Sequence, residues 1–264
     1  MNLELQGKTV FITGSTAGIG FATARTLARE KAKIILNGRS EEKLKEAIQK
    51  LQQEFPKVLI SGLAADFGKL DEVEELLGKL PEIDILINNV GIYSSGSFFE
   101  TVDEDWYRQF EVNVMSGVRL SKKILPKMLS RDRGRILFVS SECATLVPVN
   151  MIPYSMTKAA IHAVSRGLAQ MTKGTGVTVN TIVPGSTLSE GAEQFLENAA
   201  QKENKTKTQV EEAFFTEVRN SSLLQRFAKV EEIANTITYL ASPLSSATNG
   251  AAIKVDGGSM GGIL

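Results

Sequence analysis

The chain is poor in the residue types on which much enzyme and metal chemistry depends. Its 264 residues include a single cysteine and a single histidine. One cysteine excludes an internal disulfide, and one cysteine with one histidine gives too few ligands for a Cys/His zinc site. Catalysis of the Ser-His-Asp or Cys-His kind would have to depend on His162 alone. We therefore expect no metal site and a chemistry that uses neither thiolate nor imidazole.

The chain also lacks an excess of charge and a long apolar run. Thirty basic side chains balance thirty acidic ones, so no general attraction to nucleic acid is expected. No apolar stretch approaches the roughly 18 residues of a membrane span. The first residues lack the charged-then-apolar pattern of a signal peptide. We expect a soluble, cytoplasmic protein that binds neither nucleic acid nor membrane.

Short runs rich in Val, Ile and Leu alternate with amphipathic stretches along the whole chain. Unbroken apolar runs are typical of parallel strands that are covered on both faces. The alternation predicts one α/β domain over residues 1–264, a doubly wound, Rossmann-like parallel sheet of about seven strands with helices on both faces. The predicted strands are Val10–Thr13, Ile34–Asn37, Leu59–Leu63, Ile83–Asn88, Arg135–Ser140, Thr178–Val183 and Ile253–Val255.

Two regions of the chain are predicted to be helical for different reasons. Capping-box spacing from Thr101 to Glu104 predicts a long helix that begins there and continues through Leu120. Residues 190–220 are charge-rich and lie between the sixth strand and the last helix. We interpret them as one or two mobile helices inserted over the carboxyl edge of the sheet, where ligands bind, and therefore as a lid. The alternative is a solvated surface excursion.

A glycine-rich turn follows the first predicted strand directly. The sequence from Thr13 to Gly20 reads TGSTAGIG and precedes a predicted helix, Phe21–Lys31. This context suits a dinucleotide, because the N-terminus of the helix offers unpaired N–H groups and a partial positive charge to phosphates. Alone, the turn could be only a tight connection, and its spacing is neither GxGxxG nor that of a P-loop. The predicted cofactor residues here are Gly14, Ser15, Thr16, Gly18, Ile19 and Gly20.

Tyr154 and Lys158 lie one helical turn apart and therefore share a face. A tyrosine with a pKa near 10 is a poor acid or base at neutral pH. A cation about 4 Å away, at an effective dielectric near 20, stabilises the phenolate by roughly 4 kcal/mol, which lowers the pKa by about three units. The pair could equally be an ordinary polar pair on a helix surface. His162, two turns after Tyr154, is interpreted as a structural residue that faces away, toward a subunit interface.

Further polar residues accompany the pair. Ser141 ends the fifth predicted strand, at the edge where ligands bind in such sheets. Asn113 lies inside a predicted helix, although Asn is a mediocre helix former. A local kink would also account for Asn113.

Taken together, these segments resemble the short-chain dehydrogenase/reductase family, in its small single-domain branch, and are similar to the 3-oxoacyl-carrier-protein reductases. The resemblance implies an oxidoreductase that transfers a hydride between a nicotinamide cofactor and a carbonyl or secondary-alcohol substrate. The motifs occur in the family's order and spacing over nearly the whole chain. They are TGSTAGIG at 13–20, Asp66, NNVG at 88–91, Asn113, Ser141, YSMTK at 154–158, VPG at 183–185 and VDGG at 255–258.

The resemblance also implies a role for each matching residue. Tyr154 would be the general acid/base, and Lys158 would lower its pKa and hold the nicotinamide ribose. Ser141 would orient the substrate oxygen, and Asn113 would position a water that relays protons. Ser189 stands where the family usually has a threonine, and the usual NNAG is NNVG here. The further cofactor contacts would be Asp66, Asn89, Gly91, Pro184, Gly185 and Ser189.

The end of the second predicted strand bears on the choice between NAD and NADP. Gly38 stands where NAD-preferring relatives usually carry an acidic residue. Arg39 can bind a 2′-phosphate through two hydrogen bonds, and Ser40 adds a hydroxyl, although Ser40 also suits a helix N-cap. Arg39 could instead be a surface arginine paired with Glu41 and Glu42. We favour NADP(H) over NAD(H).

Other interpretations stay open at this point. A non-catalytic sensor or scaffold on the same fold would be expected to have lost the four catalytic positions, which this chain retains. An NAD-dependent sugar or steroid alcohol dehydrogenase would share them. The resemblance also implies a homodimer or homotetramer, built through the long helices near Asn113 and Tyr154. The residue pattern does not identify the substrate.

Overall fold

The computed structural model describes residues 2–262 and is centred on one parallel sheet. Met1, Ile263 and Leu264, which belong to the predicted domain, lie outside the described residues. The first six strands are β1 (Thr9–Ile12), β2 (Lys33–Gly38), β3 (Ile60–Ala64), β4 (Ile85–Asn88), β5 (Gly134–Val139) and β6 (Val177–Pro184). A separate two-residue pair, β7 (Thr187–Leu188) and β8 (Ala228–Lys229), follows, and β9 (Ala252–Val255) completes the main sheet.

The strand order across the main sheet is β3-β2-β1-β4-β5-β6-β9, and every pairing is parallel. The chain passes from β1 outward to β3 and then returns to β4 on the other side of β1. The glycine-rich turn after β1 therefore lies at the point where the winding reverses, which is where such sheets bind ligands. All seven predicted strands are present, with ends shifted by no more than two residues. The predicted fold class is confirmed.

Helices cover both faces of the sheet, and the central strands β1, β2, β4 and β5 contribute side chains to two apolar cores. Val10 and Ile12 of β1 pack into one core, whereas Phe11 packs into the other. Because both faces are covered, these four strands show no alternation of polar and apolar residues. The helices are α1 (Gly18–Arg29), α2 (Glu41–Glu54), α3 (Leu70–Lys79), α4 (Asp103–Phe110), α5 (Ser116–Ser130), α6 (Cys143–Leu146), α7 (Ile152–Met171), α8 (Glu190–Glu203), α9 (Lys207–Ala213) and α10 (Val230–Ala241).

The predicted long helix after Thr101 is interrupted. A π-helical turn, Glu111–Met115, separates α4 from α5. The predicted capping box is wrong, because the N-cap residue is Val102 and it makes no side-chain capping bond. The Thr101 hydroxyl instead donates to the Ser97 carbonyl at 2.8 Å, so the preceding turn uses it.

The inserted segment, residues 190–220, is helical as predicted and has a small core of its own. It contains α8, α9 and a second π-helical turn, Phe214–Val218. A buried core excludes a purely solvated excursion, and it shows that these helices are packed against one another. The core residues are Leu196, Ala200, Val210, Phe215 and Phe227.

Within residues 2–262, no helix has both the length and the hydropathy that a membrane crossing requires. The same part of the chain contains no cluster of three or more His, Cys, Asp or Glu side chains that could hold a metal ion.

Candidate active site

The glycine-rich turn between β1 and α1 brings backbone groups close together. Gly14 and Gly18 have positive φ angles of 59° and 57°, which side chains larger than glycine rarely adopt. A methyl group at Gly20 would lie 2.4 Å from the Gly14 carbonyl oxygen. The Asn89 amide donates to that same oxygen at 2.9 Å and holds the turn in place. Ala17 caps α1 without a side-chain hydrogen bond, so the first N–H groups of the helix are available to an anion.

Ser15 differs from its neighbours in this turn because it is fully buried. Its hydroxyl donates to the Ile12 carbonyl at 2.8 Å and accepts from the Asn37 amide at 2.9 Å. Ser15 therefore supports the turn from below, and its side chain is not available for the predicted cofactor contact. Thr16 lines the groove above the turn.

A groove runs along the carboxyl edge of the sheet as two neighbouring cavities of about 410 Å³ and 290 Å³. Gly91 lines both, so the two cavities are joined there. The predicted site residues that line the groove are Gly14, Thr16, Ile19, Arg39, Asp66, Asn89, Gly91, Ser141, Tyr154, Lys158, Pro184, Gly185 and Ser189. The predicted residues Ser15, Gly18, Gly20, Ser40 and Asn113 do not line these two cavities.

Arg39 stands at the larger cavity with its side chain exposed. It forms no ion pair with any residue from 2 to 262, so the predicted alternative of pairing with Glu41 or Glu42 is not observed. The Ser40 hydroxyl accepts a hydrogen bond from the Lys43 amide at 3.3 Å, which confirms Ser40 as the N-cap of α2.

Two further cations at the larger cavity were not identified from the sequence. They are Lys69, just before α3, and Arg108 on α4. Lys69 forms an ion pair with Glu72 at 2.7 Å. The carboxylate at this cavity, Asp66, accepts a hydrogen bond from the Gly68 amide at 2.9 Å. No local motif marks Arg108, because only the packing of α4 brings it to this end of the groove.

Ser141, Tyr154 and Lys158 meet in the smaller cavity. The Lys158 ammonium lies 5.5 Å from the centre of the Tyr154 ring and donates to the Val139 carbonyl at 2.9 Å. The Tyr93 ring contacts the Tyr154 ring edge-on, with their centres 5.9 Å apart. The structure therefore brings together the pair that the sequence predicts, on the buried face of α7.

Burial dominates the proton affinities of these two groups. Removal from water, followed by the nearby Cys143 thiol, raises the pKa of Tyr154 above its ordinary value, and a hydrogen bond with Ser141 acts in the opposite direction. Burial lowers the pKa of Lys158 to about 8. The sequence prediction that Lys158 lowers the pKa of Tyr154 is not met in this structure, where burial of the phenol has the largest effect.

Asn113 lies in the π-helical turn, and its side chain explains why an asparagine is found there. Its Oδ1 accepts from the Ile92 amide at 2.7 Å, and its Nδ2 donates to the Ile92 carbonyl at 2.9 Å and to the Thr157 hydroxyl at 3.0 Å. A methyl group at Gly91 would lie 3.3 Å from Lys158 Nζ and 3.5 Å from Asn113 Oδ1. Asn113 therefore joins the turn after β4 to α7 beside the lysine.

His162 does not face away from the site, contrary to the sequence prediction. Its Nε2 lies 2.9 Å from the Ser140 hydroxyl, which donates to the Lys158 carbonyl at 3.0 Å. Burial and the Lys158 charge lower the pKa of His162. The residue connects α7 to the end of β5, so its role is structural, as expected, but at a different place.

Comparisons with known proteins agree with this geometry. Residues 8–201 match the family model described as short chain dehydrogenase. The chain is 46% identical over 258 residues to an uncharacterized oxidoreductase of Bacillus subtilis, YvaG, covering 98% of each chain. The structure of L-sorbose reductase from Gluconobacter frateurii, complexed with NADPH and L-sorbose, matches over the full length of both chains with a TM-score of 0.93 and 30% identity. A putative betaketoacyl-ACP reductase structure matches 97% of this chain and 98% of its own, with a TM-score of 0.82 and 31% identity. The chain is therefore an oxidoreductase of the short-chain dehydrogenase family.

Proposed function

We propose that this protein is an NADP(H)-dependent oxidoreductase that interconverts a carbonyl group and a secondary alcohol, with Tyr154 as the general acid/base. The observation that carries the proposal is the groove. At one end it holds Ser141, Tyr154 and Lys158, and at the other it is open beside Arg39. A hydroxyl, a phenol and an amine in a cleft suit proton transfer to a bound oxygen.

The groove fits a dinucleotide. The first N–H groups of α1 are uncapped by side chains, and Gly14 and Gly18 leave the turn free of side chains near them. Gly185 packs so closely on the backbone of Asp256 that a methyl group would lie 2.7 Å from it. Ser189 is the N-cap residue of α8, but its hydroxyl makes no capping hydrogen bond. This hydroxyl can therefore bond a cofactor amide. NADPH, when bound, supplies the hydride.

In reduction, the Ser141 hydroxyl would hold the substrate oxygen while the Tyr154 phenol gives it a proton. Lys158 would be largely cationic at neutral pH, since its pKa is about 8, and its charge favours the phenolate that remains. The carboxamide of Asn113 would hold a water beside Lys158, through which the proton of Tyr154 is replaced from solvent. Each role follows from the hydrogen-bonding capacity of the group.

The preference for NADP(H) is supported by the charge at the larger cavity. Arg39, Lys69 and Arg108 line it, against a single carboxylate, Asp66. Gly38 leaves no acidic group at the end of β2, and a side chain there would meet Thr16, whose Cγ2 lies 2.5 Å from a built methyl group. A charge-assisted hydrogen bond from Arg39 to a 2′-phosphate contributes about 1.5–3 kcal/mol, or roughly ten- to a hundredfold in affinity.

The first test is a titration of the protein with NADPH and with NADH, followed by nicotinamide fluorescence. We expect tighter binding of NADPH, and we expect Arg39→Asp to weaken NADPH binding by roughly ten- to a hundredfold with little loss for NADH. Arg133→Asp, which makes the same charge change at an exposed site, is the control. An Arg39→Asp protein with the wild-type ratio of the two affinities would contradict this assignment.

The second test is turnover of NADPH with a panel of carbonyl compounds, among them ketoses, 3-oxoacyl thioesters and ketosteroids. Reduction of any of them supports the enzyme. Tight NADPH binding without turnover would instead favour a sensor or scaffold on the same fold. Preferred use of NAD in the reverse direction would favour a sugar or steroid alcohol dehydrogenase.

The inserted segment is placed to act as a lid. A methyl group at Gly191, in the first turn of α8, would lie 4.0 Å from the Tyr93 hydroxyl, and Tyr93 in turn contacts Tyr154. We therefore expect NADPH to lower hydrogen exchange in residues 190–220. Exchange that does not change on saturation with NADPH and substrate would contradict a closing lid.

A further inference from the structure

A buried ion pair joins the loop after Ser141 to the inserted segment. Glu142 follows Ser141 directly, and its carboxylate accepts a hydrogen bond from Arg219 Nε at 2.8 Å. The Glu142 and Arg219 side chains are only 4% and 14% exposed, although 77 positions separate them. Neither residue carries a recognisable motif, so the pair was not expected from the sequence.

The Glu142 carboxylate connects three parts of the site. Its Oε1 also accepts from the Ser186 hydroxyl at 3.1 Å, and the Glu142 amide donates to the Pro184 carbonyl at 2.8 Å. Pro184 lines the cavity that holds Ser141. The loop carrying Ser141, the loop after β6 and the inserted helices therefore meet at one side chain.

Arg219 in turn is held by the core of the inserted segment. Its guanidinium lies 5.9 Å from the centre of the Phe214 ring. Phe214 stacks on Phe227 with ring centres 5.1 Å apart, and both contact Phe215. A displacement of these three phenylalanines would therefore move Arg219 and change its contact with Glu142.

The charge of Glu142 lies close to the reacting groups. Its Oε2 is buried and has no hydrogen-bond partner among the described residues, so Arg219 is the cation that balances the carboxylate. The groups that act on Tyr154 are Cys143, Ser141, Tyr93 and Glu142, with Lys158 over its ring. The negative charge of Glu142 works against ionisation of the phenol.

We infer that Glu142 and Arg219 are positioning residues for the reaction proposed above: the pair fixes the Ser141 loop against the inserted helices, and Arg219 balances the carboxylate beside Tyr154. Neither residue is proposed to touch the substrate. The expected effect on turnover rests on the proposed function. The coupling between the Ser141 loop and the inserted helices does not depend on it.

The turnover test compares Glu142→Gln, Arg219→Gln and the double variant. Glu142→Gln keeps the shape of the side chain and one acceptor oxygen for Arg219 and Ser186, removes the charge, and puts an amide NH2 in place of the unpartnered oxygen. We expect each single variant to lose about tenfold or more in kcat/KM, with the Kd for NADPH changed by less than about twofold, and the double variant to lose no more than the worse single one, since both act through one contact.

The pH profile gives a readout that a purely structural role would not move. Reduction needs a protonated phenol and a cationic Lys158, whose pKa of about 8 is the lower of the two, so its rate falls at high pH as these groups lose their protons. A negative charge favours protonation of neighbouring groups, so removing it in Glu142→Gln makes the loss of both protons easier. We therefore expect the basic limb of the kcat profile to move to lower pH. A wild-type profile and wild-type kcat/KM in Glu142→Gln would overturn the inference.

Hydrogen exchange tests the coupling without turnover. Arg219→Gln should raise exchange in residues 140–146, and Glu142→Gln should raise it in residues 214–220. Glu197→Gln breaks an exposed ion pair with Lys207 in the same inserted segment and should raise neither. Increases confined to the segment that carries the substitution would overturn the inference. If the wild type binds NADPH but reduces no compound of the panel, the proposed function fails, and the exchange pattern still decides the coupling.

Discussion

Burial changes the proton affinities of the two residues that would move the proton. Lys158 is buried and Tyr154 is half-buried, and the reduced contact with water raises the pKa of Tyr154 and lowers that of Lys158 to about 8. Each shift favours the neutral form, as desolvation does for any ionisable group. In this structure Tyr154 therefore holds its proton at neutral pH and can act as a proton donor.

Tyr154→Phe removes the proton donor and little else. We expect kcat for reduction to fall by about a hundredfold or more, because proton transfer by a positioned group contributes roughly that much. The Kd for NADPH should not change. Tyr239→Phe, at an exposed position on α10, is the control and should behave as wild type. Turnover close to normal in Tyr154→Phe would exclude it as the acid.

Lys158 makes stability depend on pH in a defined direction. Its pKa is about 8 in the folded protein, against an ordinary value of 10.5. Below pH 8 both states hold the proton, and the folded state bears the cost of a buried ammonium. Between these two values the unfolded chain binds more protons than the folded one, so Lys158 makes the free energy of unfolding rise with pH.

Lys158→Met should remove this dependence. The quantity to follow is the free energy of unfolding of the variant minus that of the wild type. It should be highest near pH 7 and should decrease as the pH rises from 8 toward 10, because only the wild type gains stability over that range. Thermal or urea unfolding at several pH values measures it. Lys122→Met, an exposed lysine on α5, should show no such trend. A constant difference between Lys158→Met and wild type over this range would contradict the buried, shifted amine.

At the scale of elements, the turn between β1 and α1 depends on the absence of side chains. The atoms nearest to a methyl group at Gly20 would be the Gly14 oxygen at 2.4 Å and Asn89 Nδ2 at 2.6 Å. These atoms are hydrogen-bonded to each other, so neither can move without loss of that bond. The same closeness brings the N-terminus of α1 to the strand edge, where a phosphate would bind.

Gly20→Ala and Gly78→Ala are a matched pair of substitutions within helices. Gly20→Ala should destabilise the fold by about 1–3 kcal/mol through overpacking and weaken NADPH binding. Gly78 lies in α3 with nothing within 4 Å of a built methyl group, so Gly78→Ala should stabilise by about 0.5–1 kcal/mol. Urea unfolding measures both. Equal effects of the two substitutions would show that helix propensity, and not close packing, governs Gly20.

The interruption between α4 and α5 could not be predicted from the sequence. Apolar spacing through Val114 and Leu120 indicated helix correctly, but the π-helical turn at Glu111–Met115 was not predicted. That turn coincides with the hydrogen bonds of Asn113 to Ile92 and Thr157. These partners are remote in sequence and become neighbours only in the folded chain. The short β7–β8 pair was missed because two residues carry no periodic signal.

At the scale of the whole molecule, a group of large apolar side chains is left exposed on and before α4. The members are Phe98, Phe99, Val102, Tyr107 and Phe110, and Phe99 is 94% exposed. Phe98 contacts both Phe99 and Trp106, and exposed groups of large apolar side chains mark association surfaces. We propose that this surface lies between subunits of a homodimer or homotetramer.

Light scattering coupled to gel filtration measures the assembly. We expect a mass of two or four times the 28.7 kDa of one chain, and we expect Phe99→Asp to shift the population toward the single chain, because a buried unpaired carboxylate opposes association. Leu59→Asp, at an exposed apolar residue beside β3, is the control. A wild type that runs as a single chain at all concentrations would contradict the proposal.

The sequence by itself determined the sheet and the order of its helices through local information: apolar runs, glycine spacing, and the rule that parallel strands end on the same side. It also indicated Ser141, Tyr154 and Lys158 as candidates, whereas further residues of the groove, such as Asp66 and Asn89, were predicted from the resemblance to the family. Only the tertiary structure decided that Ser15 is buried under the turn, that Arg108 and Lys69 join Arg39, and that Glu142 reaches Arg219. It also decided the proton affinities of Tyr154 and Lys158. Each of these depends on contacts or on exclusion of water between segments far apart in the chain, for which no local pattern exists.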